Sequence, residues 1–332
     1  MRITLLTATT LTCVVTMATP VASAPRVLSG AAAAVPAQAA RPASPAHAVP
    51  TAHAMEAAQA AAAAGPAGVG ARSAYLLDHR TGRRLWSRRP HDRRAIGSIT
   101  KVMTAVVVLR SARLDRTLTV RPRHVAYAAR RNGSTAGLRP GDRFTTRELL
   151  HALLLPSGCD AAAVLADAYG PGPRRFIRKM NATARALGLT RTRYEDPAGL
   201  PPTPGHSTAR DQAKLGRYAM RLRTFRDTVR RKRYVLPADG RHRRYVWTST
   251  NALLGTYPGM LGIKTGHTSA AGYSLLFAAR RKGRTLVGVV LGSSDTSARA
   301  RFTDAAKMLD WGFRRPVPAT RPVRPGRTAR AG

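Results

Sequence analysis

The chain has 332 residues, 44% of them hydrophobic, so its main part is globular rather than disordered, with core enough for one large domain or two small ones. Its formal net charge is +40, and only seven of its 56 basic residues are Lys. Such a charge suits a polyanion, an anionic wall polymer or lipid surface, or reflects a bias toward Arg, Ala and Pro; with no nucleic-acid motif or aromatic-rich basic patch beside it, no nucleic-acid partner is expected.

The N-terminus reads MRITLLTATTLTCVVTMATPVASAPR. One Arg, an apolar run ending near Met17, and then Ala22-Ser23-Ala24 form a secretory signal pattern over residues 1–24. The run is too short and too rich in Thr for a membrane span. Pro25 is a poor residue after a cut, so cleavage could fall as late as 31. Cys13 would be removed with the signal, and Thr12 before it does not fit a lipid-attachment motif. The mature chain would then carry one cysteine, Cys159, and no internal disulfide. The expected location is secreted, extracellular or wall-associated.

Alanine fills half of residues 31–70, so 25–70 reads as a disordered Ala/Pro linker. A catalytic domain is expected over 71–313, and an Arg/Pro-rich disordered tail over 314–332. SAYLLD and LWS, with Gly82 between them, predict a hairpin. A buried helix should start near Ser98, because ITKVMTAVVVLRSA is apolar on every side. Thr145 and Glu148 have capping-box spacing ahead of LLHALLL. Pro156-Ser157-Gly158 breaks that helix, and DAAAVLADAY begins another. Residues 174–187 form a further helix closed by Gly188, and Thr208 caps the next. After Arg243 the texture turns to strands: RYVWTST, MLGIKTG, GYSLLFAARR and RTLVGVVLG. TSARARFTDAAKMLDWGF is a closing helix. This order predicts an α/β (α+β) fold, with an antiparallel sheet built from both ends of the chain, flanking helices and a helical subdomain.

Ser98 and Lys101 stand three apart at a helix start, which stacks their side chains about 5–6 Å apart at Cβ. A serine hydroxyl needs a base to become a nucleophile, and a neutral lysine amine can serve. Arg cannot lose its proton, so a base in this Arg-rich chain has to be one of the few Lys. A second group, Lys264-Thr265-Gly266, stands at a strand end, where a cation and a hydroxyl would suit a carboxylate and Gly266 would let a ligand approach the strand. A third, Ser157-Gly158-Cys159, lies on a loop between helices. Alone, each is compatible with an ordinary helix start or turn.

Together, Ser-x-x-Lys, Ser-Gly-Cys and Lys-Thr-Gly in this order resemble the D-alanyl-D-alanine carboxypeptidases, the low-molecular-mass penicillin-binding members of the serine β-lactamase-like superfamily. Connecting text agrees, including LLHALLLPSGCDAAAVLA, DPAGL at 196–200, HSTARDQAKL and NALLGTYPGMLGIKTGHTSAAGYSLL. The resemblance implies a β-lactamase/transpeptidase-like fold, no cofactor, stem peptides of peptidoglycan ending in D-Ala-D-Ala as substrate, and β-lactams as covalent inhibitors. By the same resemblance Ser98 would be acylated, Lys101 would be its base, and Ser157 would relay a proton to the leaving amine. Lys264 would set the site's electrostatics and, with Thr265, bind the substrate carboxylate. The N–H groups of Ser98 and His267 would form the oxyanion hole, and Arg299 would be a carboxylate-binding arginine.

Two departures stand out. Cys159 occupies the place of an Asn that would contact the lysine and substrate, and a thiol is a weaker hydrogen-bond partner. The β-rich C-terminal domain and membrane anchor of some relatives are not expected after Phe313. A β-lactamase of the same fold would need an activating glutamate, but Glu56, Glu148 and Glu195 lack the Glu-x-x-Leu-Asn context. A catalytically weak wall-binding protein is a further alternative. The His residues are scattered, with no metal-binding spacing, so no metal is expected.

Overall fold

The first strand of the domain, β1 (Ser73–Asp78), pairs on one side with β2 (Arg84–Arg88) and on the other with β9 (Arg284–Leu291), the last strand. Ser73 faces Leu291 and Asp78 faces Leu286, so the two ends of the domain share one register. β8 (Ser274–Arg281) and β7 (Met260–Gly266) complete an antiparallel sheet of order β2-β1-β9-β8-β7, as the element order predicted. The computed structural model describes residues 65–316 except 112, 203 and 204. The expected signal peptide and residues 25–64 and 317–332 lie outside the described residues.

Strand β8 is buried over its first six residues, SLLFAA, without alternation. A sheet covered on both faces requires such a run. One cover is helix α6 (Ala209–Ala219), where Gly216 lies against Leu276 and Val287. The other is α8 (Ala300–Arg314), where Gly312 lies against Leu286 and Leu76. A Cβ at either glycine would come within 3 Å of a leucine methyl, so both helices seat closely because they carry none there.

The helical part surrounds α1 (Lys101–Leu109). Eight of its nine residues are buried, as its unbroken apolar sequence KVMTAVVVL predicted. Around the sheet and α1 lie β3 (Thr117–Thr119), α2 (Pro122–Arg130), β4 (Arg143–Thr145), α3 (Thr146–Leu154), α4 (Cys159–Tyr169), α5 (Pro173–Ala186), α7 (Arg223–Val229), β5 (Arg233–Leu236) and β6 (Tyr245–Thr248). The α3 cap is reciprocal: Thr145 Oγ1 accepts from the Glu148 N–H at 3.2 Å, and Glu148 Oε2 accepts from the Thr145 N–H at 2.7 Å. Thr208 Oγ1 likewise accepts from the Asp211 N–H at 3.1 Å.

The domain begins before the expected boundary. Val69 is buried, and Gly70 N–H donates to Asp304 Oδ1 at 2.9 Å. Composition placed 65–70 in the linker because Ala, Gly and Pro dominate there, yet one valine and one backbone amide suffice to dock it on α8.

Candidate active site

Ser98 lies in a single 3₁₀ turn, Gly97–Thr100, that feeds α1. The turn is pressed against the end of β7. A Cβ on Gly97 would stand 3.0 Å from His267 N, and one on Gly266 would stand 2.5 Å from the Ile96 carbonyl. Gly97 also has φ +51, a left-handed value that favours glycine. The two glycines bring the Ser98 turn and the sheet edge into backbone contact. That contact places the main chain of Ser98 and of His267 on the same wall of the cleft. Gly266 therefore admits the Ser98 turn, where the sequence reading had it admit a ligand.

Lys101, the first residue of α1, is fully buried, and its Nζ donates to Ser98 Oγ at 2.7 Å and to the Ala198 carbonyl at 3.1 Å. Lys264 is also buried, at 1% exposure, and donates to the Thr265 carbonyl at 3.1 Å and Thr265 Oγ1 at 3.3 Å. Burial holds Lys264 well below the usual lysine range, and the charge of Lys101 adds to that effect. Thr265 Oγ1 shares a 2.6 Å hydrogen bond with Thr250 Oγ1, and both threonines line the cleft.

Ser157 reaches the same cleft from the loop between α3 and α4. Its φ of +69 is unusual for a residue with a side chain, and its buried Oγ has no hydrogen-bond partner among the described residues. Strained backbone together with an unsatisfied buried hydroxyl is a common mark of a functional position.

The cleft has a volume of about 630 Å³, within the range of small-molecule sites. Ser98, Ser157, Thr265 and His267 line it, with Lys101 and Lys264 beneath. Cys159 does not line it. The thiol is fully buried behind Gly133, whose Cβ position lies 2.9 Å from Sγ, and its one polar contact is a long 3.9 Å approach to the Ser157 carbonyl. The motif led to the expectation of contact between Cys159 and substrate; Gly133 lines the cleft beside it, and Cys159 does not.

Arg299 does not line the cleft. It is the exposed N-cap of α8, while Arg301 lines the cleft. Residues two apart on a helix point to different faces. Arg301 lies 5.2 Å from the Tyr273 ring centroid and donates to the Gly266 carbonyl at 3.3 Å. Tyr273 in turn stacks on His267 with centroids 4.0 Å apart. The motif SSDTSARAR has two arginines, Arg299 and Arg301, two positions apart, so spacing could not choose between them.

Sequence reasoning also gave no role to Thr250 or to the loop 196–200. Ala198 acts through its main-chain carbonyl, which no side-chain pattern reveals, although DPAGL was part of the family resemblance. Of the two described glutamates, Glu148 caps α3, and Glu195, which lines the cleft, pairs with Arg193.

Comparison with known proteins agrees with this geometry. Residues 58–295 match the family described as D-alanyl-D-alanine carboxypeptidase. A D-alanyl-D-alanine carboxypeptidase of Streptomyces sp. strain K15 is 40% identical over 257 residues, covering 74% of this chain and 88% of the relative. The D-alanyl-D-alanine carboxypeptidase DacB2 of Mycobacterium tuberculosis is 35% identical over 248 residues, covering 73% of this chain and 82% of its own. The crystal structure of the Streptomyces K15 DD-transpeptidase superposes with a TM-score of 0.71 at 40% identity, covering 75% of this chain and 99% of that one. The hydrogen-bonded Ser98–Lys101 pair, a serine with no partner among the described residues, a Lys-Thr-Gly strand edge and this degree of likeness lead to one conclusion: the chain belongs to the D-alanyl-D-alanine carboxypeptidase family of penicillin-binding serine peptidases.

Proposed function

We propose that the protein is exported and removes the terminal D-Ala from peptidoglycan stem peptides through an acyl-enzyme on Ser98. The observation that carries this reading is the 2.7 Å contact between Ser98 Oγ and the buried Lys101 Nζ. Lys101, as the neutral amine, takes the hydroxyl proton while Oγ attacks the carbonyl carbon between the two D-alanines. Burial, and then the neighbouring Lys101, hold Lys264 well below the usual lysine range. The tetrahedral oxyanion is met by the main-chain N–H groups of Ser98 and His267. Ser157 Oγ passes a proton to the departing nitrogen, the C–N bond breaks, and D-Ala leaves. Thr265 and Arg301 hold its carboxylate. Water then resolves the ester, or the amine of a second stem peptide does so and the outcome is transpeptidation. A β-lactam enters the same route: its amide bond opens on Ser98 and leaves a slowly hydrolysed ester. Incubation with an acyl-Lys-D-Ala-D-Ala peptide tests the reaction: release of D-Ala by the wild type and none by Ser98→Ala supports it, and equal release by both refutes it.

The cationic surface suits an anionic wall polymer. Arg217 donates to the carbonyls of His79 at 2.8 Å and Arg80 at 3.1 Å, and Arg226 to that of Met220 at 3.0 Å, so these charges are oriented by main-chain carbonyls, with no ion pair to a carboxylate among the described residues. They lie by the β1–β2 turn, at the end of the sheet away from Gly266, which leaves the cleft open while that end is engaged. Retention on polyphosphate that salt abolishes supports this contact, and retention insensitive to salt refutes it.

A further inference from the structure

The loop 196–200 converges on one carboxylate. Asp196 is nearly inaccessible, and its Oδ1 accepts from the N–H groups of Ala198 at 2.8 Å and Leu200 at 3.0 Å. The Tyr127 hydroxyl reaches Oδ1 at 2.8 Å and Oδ2 at 2.7 Å, and Arg131 Nη1 reaches Oδ2 at 2.5 Å. Arg131 also lies over the Tyr127 ring, 4.8 Å from its centroid, so the two partners brace each other. Five contacts on one carboxylate leave the turn at 196–200 little freedom.

What that turn presents is the Ala198 carbonyl, 3.1 Å from Lys101 Nζ. The neighbouring Pro197 carbonyl accepts from Thr104 Oγ1, one turn further along α1, at 2.5 Å. The turn also packs on the nucleophile segment: a Cβ on Gly199 would collide with the Gly97 carbonyl at 2.1 Å. A lysine amine sits on a flexible stem and its donors rotate freely, so a fixed acceptor on one N–H restricts where the amine points. With Ala198 holding one N–H, the amine is held against Ser98 Oγ, 2.7 Å away.

We infer that Asp196 is a positioning residue for the base: it acts through the Ala198 carbonyl to aim the Lys101 amine at Ser98, with Tyr127 and Arg131 fixing its carboxylate. This inference rests on the reading of Lys101 as the base of Ser98. Asp196 touches neither Lys101 nor the reacting atoms, so its effect is on the orientation of the amine.

The test is the second-order rate of Ser98 acylation by benzylpenicillin across pH, in Asp196→Asn, Tyr127→Phe and the wild type, each with thermal melting to fix the folded fraction. Asp196→Asn keeps shape and one acceptor oxygen, but puts an amide NH2 where Tyr127 and Arg131 meet Oδ2, so the carboxylate that holds the turn loses its clamp. It is expected to slow acylation about a hundredfold, the scale of a misplaced reactive group. It also moves the acid limb of the profile to lower pH, because a freed carbonyl no longer favours the ammonium form. Tyr127→Phe, which leaves the carboxylate and the turn in place, moves the same limb by a smaller step. Profiles of wild-type shape in both variants, or rates that fall only with the folded fraction, overturn the inference. If Asp196→Asn does not fold, the Tyr127→Phe profile alone decides by the same criterion. Lys101→Arg, run in parallel, separates the two levels. Wild-type acylation by that variant refutes the base itself, and the positioning role with it. Slow acylation by it with an unmoved Asp196→Asn profile refutes the positioning role alone.

Discussion

Lys101 and Lys264 lie together in the buried floor of the cleft, and among the described residues neither has a carboxylate partner. Buried charges normally pair, and two like charges in one dry site repel. Lys264 accordingly sits well below the usual lysine range, first through burial and then through Lys101. Lowering the pH protonates Lys264 and adds a second charge beside Lys101. Acylation should therefore fall as pH drops and Lys264 takes up its proton. Lys101→Arg keeps the cation but cannot accept a proton, so it should lower the acylation rate by about 10²–10⁴-fold. Stopped-flow acylation by a fluorescent penicillin measures both effects.

Ser157 Oγ is buried without a partner on a residue at φ +69. Ser157→Ala removes that hydroxyl and should leave the melting temperature unchanged or raised. The same change should slow D-Ala release by about 10²-fold, the lower end for a lost proton-transfer group. Ser157→Gly relieves the backbone as well and should add roughly 1 kcal/mol of stability. Thermal melts and peptide turnover on the two variants separate a catalytic hydroxyl from a structural one.

Cys159 meets the Ser157 carbonyl only at 3.9 Å and is screened from the cleft by Gly133. An amide at this position would hydrogen-bond where the thiol barely does. Cys159→Asn should raise hydrolysis of the acyl-enzyme by up to about tenfold, one hydrogen bond's worth of transition-state free energy. Acylation and hydrolysis rates both equal to wild type would make the thiol a packing residue.

Arg301 faces the cleft and Arg299 faces solvent, although the two are separated by one residue. Arg301→Leu should weaken turnover of a carboxylate-ended peptide by about 10–100-fold, the scale of one charge-assisted hydrogen bond. Arg299→Leu should leave it unchanged. Steady-state kinetics on the acid and on the amide of the same peptide provide the control, since the amide lacks the charge that Arg301 would meet.

Much of this arrangement is legible in the sequence, because buried elements advertise themselves. KVMTAVVVL is apolar on every side and forms the central helix, and SLLFAA is apolar without alternation and forms the central strand. Thr145 with Glu148 and Thr208 with Asp211 mark helix starts through residue type and spacing alone. The pieces not foreseen are short or polar. β3 and β4 span three residues each, and α2 is rich in Arg, although Pro122 at its first turn was an available signal. Within the site, the Ser-Lys spacing survives because one helical turn fixes it. The Asp196–Ala198–Lys101 chain does not show, since it runs through a main-chain carbonyl between residues 97 apart. Arg301 was missed for the opposite reason: two arginines stand close together, and only the rotation of α8 chooses between them.

The central claim is that Ser98 carries the acyl group. Intact-protein mass spectrometry after exposure to benzylpenicillin tests it most directly. The wild type should gain one penicilloyl mass, located to the peptide containing Ser98, and Ser98→Ala should gain none. An adduct that persists in Ser98→Ala, or one that maps to Cys159, would contradict the account.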